Sequence, residues 1–165
     1  MGVVERIKVL ESLTKLSPSA SDLHWELATL WEARGTESLK RGAVEGALAA
    51  YRKSVEAKVA ALANVDEKTP GADVKRVILA GNYVGIATLE RATGRFDEAR
   101  ADCENAIRTL EEMENRASGR RVATLRGGAE ILADARALWA ELEGEENREG
   151  NERGKRKNDA NKDDG

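Results

Sequence analysis

Residues Gly94-Arg-Phe-Asp-Glu-Ala-Arg-Ala-Asp-Cys-Glu-Asn-Ala-Ile107 decide how this sequence folds. Phe96, Ala99, Cys103 and Ala106 recur at steps of three and four, which puts them on one face of a helix, and Gly94 punctuates the chain just before it. The stretch has a forerunner in Gly46-Ala-Leu-Ala-Ala-Tyr-Arg-Lys-Ser54, set in the same phase behind Gly42. Moving the sequence by 52 residues without a gap brings Gly42 onto Gly94, Ala47 onto Ala99 and Tyr51 onto Cys103. The same shift pairs Pro18 with Pro70, Trp31 with Tyr83 and Gly35 with Ala87. Self-similarity at a fixed period of this size is the mark of stacked helical units.

Working outward, helical spacing persists on both sides. Val3, Ile7, Leu10 and Leu13 form a stripe that ends before Ser17-Pro18, and a second helix starts near Ser21 or Asp22, both good caps, and runs to Arg41. The third carries Val44, Ala47, Tyr51, Val55, Val59 and Leu62 and fades into the turn-rich segment from Asn64 to Gly71. The fourth runs from about Asp73 to just before Gly94, the fifth carries Phe96 to Met113, and a last one over 120–143 carries Leu125, Leu132, Ala135, Trp139 and Leu142. The spacing therefore predicts an all-α chain of about six helices with no strand. From Gly144 the sequence holds one alanine as its only hydrophobe, so 144–165 reads as a disordered, mixed-charge tail.

The pattern resembles the tetratricopeptide repeat. Trp31-x-x-Arg34-Gly35 is similar to that family's first-helix motif, and the two stretches quoted above are similar to its second helix. Small residues (Gly35, Ala47, Ser54; Ala87, Ala99, Ala106) let two antiparallel helices approach, and Trp31, Tyr51, Tyr83 and Phe96 fill the space beside them. The period is 52 rather than the usual 34. Arg34 replaces the usual Leu, and Ser38 and Glu90 stand where a large aromatic is usual. The long period resembles repeats arrayed in large bacterial signalling proteins. The resemblance implies an α-solenoid domain over 1–143, with repeats at about 18–69 and 70–121 and a capping helix over 120–143. It also implies a concave face that binds a protein or peptide segment, with Thr29, Glu32, Thr36, Lys40, Val84, Thr88 and Arg91 as the partner-binding residues, beside Gly81 and Gly85. A carboxylate clamp of the chaperone-binding kind would need Lys, Asn and Arg where Glu32, Thr36 and Val84 stand.

Composition excludes much else. Thirty acids against 27 bases give a net charge of −3, which argues against coating DNA or a membrane through bulk charge. One cysteine allows no internal disulfide, and one histidine, His24, no site built on two. No apolar run approaches the ~18 residues that span a bilayer. The opening Met1-Gly-Val-Val-Glu-Arg6 has no secretory apolar stretch, so the expected setting is cytoplasmic.

No residues assemble into a catalytic pattern. Cys103 lies on the apolar stripe of its helix without a histidine base. Gly127-Gly128 has neither the preceding strand nor the Lys-Ser/Thr of a phosphate loop, and adjacent acids such as Glu111-Glu112 diverge on a helix. The expectation is therefore a non-enzymatic adaptor or scaffold, with no catalytic residue, no metal and no cofactor. Its rivals are end-to-end self-association through a repeat edge and, less favoured, nucleic-acid binding aided by the basic cluster Lys155-Arg156-Lys157.

Overall fold

A computed structural model describes residues 2–66, 69–116 and 127–160, with side chains as far as Glu145. The described residues form helices and no strand. The helices are α1 (Val3–Leu16), α2 (Ser21–Lys40), α3 (Val44–Ala63), α4 (Ala72–Ala92), α5 (Phe96–Arg116) and α6 (Gly128–Ala160). None is long and apolar enough to cross a membrane.

The period read from the sequence is present in the backbone. The turns that close the α2–α3 and α4–α5 hairpins carry the same hydrogen bonds 52 residues apart. Ala43 N–H donates to Ser38 C=O at 2.9 Å and Arg95 N–H to Glu90 C=O at 2.8 Å. Gly42 N–H donates to Leu39 C=O at 2.9 Å and Gly94 N–H to Arg91 C=O at 3.0 Å. These paired bonds are the Schellman ending of a helix, which needs a left-handed residue at its hinge. Gly42 (φ 74°) and Gly94 (φ 78°) supply it.

Close approach within each hairpin depends on the small residues. Ala28, Ala47, Ala80, Ala87, Ala99 and Ala106 are fully buried. At Gly35 even one added carbon would sit 2.6 Å from the Tyr51 ring, inside van der Waals contact. The larger side chains fill the space between successive layers. Ile7 and Leu10 of α1 join Leu27, Leu30 and Trp31 of α2, while Leu48 and Val55 of α3 pack against Leu79 and Ile86 of α4. The helices thus stack in chain order.

The last helix differs from its sequence reading at both ends. It begins at Gly128, and Leu125 with the rest of 120–126 lies outside the described residues. At the other end, helical backbone passes Gly144 and continues to Ala160. Packing nevertheless stops near the composition break: Leu132, Leu138 and Leu142 are buried against α4 and α5, and Leu142 is the last apolar anchor.

Candidate functional site

α2 and α4 lie on the same side of α3 and leave a cleft of about 420 Å³ between them. Glu32, Thr36 and Leu39 of α2 form one wall, and Gly81, Asn82, Gly85, Ile86, Thr88 and Leu89 of α4 the other. Tyr51 and Ser54 of α3 form the floor. The absence of a side chain at Gly85 helps keep the α4 wall open, since a carbon added there would meet nothing within 4 Å, whereas one added at Gly81 would lie 3.4 Å from Ile131 of α6.

The polar end of the cleft is neutralised from inside. Lys58 of α3 is 2% exposed, and its ammonium donates to Glu32 Oε2 at 2.6 Å and to Asn82 Oδ1. The same ammonium lies 5.6 Å from the centre of the Trp25 ring, so one buried cation ties α2, α3 and α4 together. Thr36 and Tyr51 share a hydrogen bond of 3.2 Å between their hydroxyls. The Ser54 hydroxyl is buried without a partner among the described residues, an unmet donor and acceptor beneath the cleft.

The seven residues expected to line one continuous groove are divided by the fold. Glu32, Thr36 and Thr88 line the cleft. Thr29 and Lys40 are exposed on α2 outside its lining. Val84 packs instead into the cluster formed with Ile131 and Leu132 of α6. Arg91 is held by α6 as well, through Glu141 at 2.6 Å and Glu145 at 2.9 Å. The reason is that α6 lies against both α4 and α5, so it occupies the far side of α4 and leaves only the α2-facing side open.

A second polar cluster has no mark in the sequence beyond the oddity of an acid at position 90. Glu90 at the end of α4 is fully buried, and Asp102 of α5 is nearly so. Arg52 of α3 pairs with Glu90 and lies 3.3 Å from Asp102 Oδ2. One guanidinium thus serves two buried carboxyls. Burial, then the Asp102 charge, raise Glu90 to about 7 despite Arg52, while burial also raises Asp102. Glu90 Oε2 and Asp102 Oδ2 have no hydrogen-bond partner among the described residues, and below about 7 the proton that Glu90 retains is available to be donated to Asp102. Beside them, burial and neighbouring acids push the Cys103 thiol up to about 11, so this fully buried sulfur stays protonated. His24 points back to its own N-terminal turn, 3.0 Å from the Pro18 carbonyl.

No family model, no curated protein and no solved structure matches the chain.

Proposed function

We propose that this chain is a non-catalytic interaction module of the tetratricopeptide kind, which holds a segment of a protein partner in the cleft between α2 and α4. The observation that carries the reading is the cleft itself. It is a preformed cavity between the first helices of two units that repeat every 52 residues, and Gly85 on one wall admits a main chain closely. Its chemistry favours an uncharged segment, because the charge of Glu32 is met by Lys58. An aliphatic or aromatic side chain would enter between Leu39, Tyr51, Ile86 and Leu89, and the Ser54 hydroxyl offers a hydrogen bond at the base. A cytoplasmic setting belongs to the same proposal. Val84 and Arg91, engaged by α6, contribute to the rigidity of the wall rather than to partner contact.

The test is selection of random displayed peptides on the wild-type chain, followed by calorimetric titration of the winners into Gly85→Trp. Position 85 is exposed and open, so the indole fills the cleft entrance without disturbing the core. Selected peptides should share an apolar residue and lose at least about tenfold in affinity, or about 1.4 kcal/mol, on the variant. Equal affinity for both proteins, with thermal unfolding unchanged, would refute the site.

A further inference from the structure

The two ends of the helical stack expose faces of opposite kind. On α1, Ile7, Leu10 and Thr14 are buried against α2, while Val9 (46% exposed), Leu13 (40%) and Leu16 (80%) follow one another at steps of four and three on the opposite side. On α6, Leu132, Leu138 and Leu142 face α4 and α5, while Ala133, Ala137 and Ala140 recur at the same steps on the solvent side.

Within the chain, small residues receive a following helix. Ala28 and Gly35 of α2 are buried beneath α3, and Ala80 and Ala87 of α4 beneath α5. In each first helix, two small residues seven apart receive the helix that follows. Ala133 and Ala140 have the same spacing one position beyond Leu132 and Trp139, which stand 52 residues after Ala80 and Ala87, and nothing among the described residues covers the two alanines. Conversely, α1 packs on α2 through Leu10, as α3 packs toward α4 through Leu62, 52 residues later. Val9 correspondingly stands where Ala61 of α3 is buried.

Charge agrees with this pairing. α1 carries Arg6, Lys8 and Lys15 against Glu5 and Glu11 and is net positive. The described side chains of α6 include Glu130, Asp134, Glu141, Glu143 and Glu145 with Arg136 as the only cation. Lys8 and Lys15 on one side, and Glu130, Asp134 and Glu143 on the other, form no ion pair among the described residues.

We propose that the chain associates head to tail with a second copy of itself, the Val9–Leu13–Leu16 face of α1 lying antiparallel on the Ala133–Ala137–Ala140 face of α6 of its neighbour. The contact sets the larger side chains of α1 on the small ones of α6, with Lys8 and Lys15 facing the acids that flank the alanines. Because the two faces differ, the interface is heterologous and does not close on itself at two copies.

Sedimentation velocity on the full chain, over about a hundredfold range of concentration, reads this directly. Wild type should grow in mass with concentration beyond a dimer. Leu13→Glu and Ala137→Glu, both at exposed positions, should each be monomeric with unchanged helical content. Mixed together they should form a dimer and stop there, since one retains a sound α6 face and the other a sound α1 face. A wild type that stays monomeric throughout would overturn the proposal. So would a Leu13→Glu that abolishes association when Ala137→Glu does not, which would point to α1 pairing with α1. Gly85→Trp should leave association unchanged, which separates this surface from the cleft.

Discussion

Replacing Glu90 with glutamine should alter stability by an amount that depends on pH, because the two side chains differ there only in whether they can ionise. Glu90 is raised from the ordinary 4.5 to about 7, first by burial and then by Asp102, with Arg52 opposing. Between those values the folded chain holds a proton that the unfolded chain has released, so stability falls as pH rises through the window and the loss is complete above about 7. Moving the carboxyl from 4.5 to about 7 corresponds to about 3 kcal/mol, accumulated at about 1.4 kcal/mol per pH unit. The glutamine of Glu90→Gln stays neutral throughout: its amide donates to Asp102 as the protonated acid does, and its oxygen still accepts from Arg52. Urea unfolding at pH 4.5 and pH 8 should therefore show the variant level with wild type at the lower pH and more stable by up to about 3 kcal/mol at the higher, with the same m-value. A difference that is the same at both pH values would refute the shared proton. A variant weaker than wild type at pH 8 would mean that Arg52 holds Glu90 ionised and that the attraction outweighs burial.

Two further substitutions test the packing. Gly35→Ala gains up to about 1 kcal/mol of helix propensity but drives a carbon into the Tyr51 ring, and overpacking of this kind costs about 1–3 kcal/mol, so a lower urea midpoint is expected. An unchanged or higher midpoint would show that the ring moves aside freely. Leu142→Ala removes the last buried anchor of α6 and should cost about 2–5 kcal/mol, with amide exchange along 128–142 rising before that of α2–α3. Uniform loss of protection across all helices would instead make α6 inseparable from the rest of the core.

The hairpins are legible in the sequence because their determinants are local. Gly42 and Gly94 act within their own turns, and the steps between Ala47, Tyr51 and Ser54, or Ala99, Cys103 and Ala106, mark a face without reference to any distant residue. The cleft is legible in part. Glu32, Thr36 and Thr88 come from the resemblance, which puts a binding face on the first helix of each hairpin. Val84 and Arg91 occupy the same kind of position in sequence, but the packing of α6 on α4 takes them away from it, and that placement depends on contacts with residues far along the chain. Lys58 is hidden for a different reason. It stands among Val55, Val59 and Leu62 and reads as an ordinary solvated lysine, whereas Glu32 and Asn82 converge on it only after three helices have packed. Glu90 does stand out as an acid in an aromatic position, yet its partners Arg52 and Asp102 lie on two other helices and carry no mark of their own.

The proposed docking of a partner segment in the α2–α4 cleft can be read residue by residue. Its most direct test is a titration of a selected peptide into isotopically labelled full-length chain, followed by amide chemical shifts. The largest changes should fall at Glu32, Thr36, Gly85 and Thr88, with the solvent faces of α1 and α6 unmoved. Changes concentrated on α5, or on the outer face of α6, would contradict it.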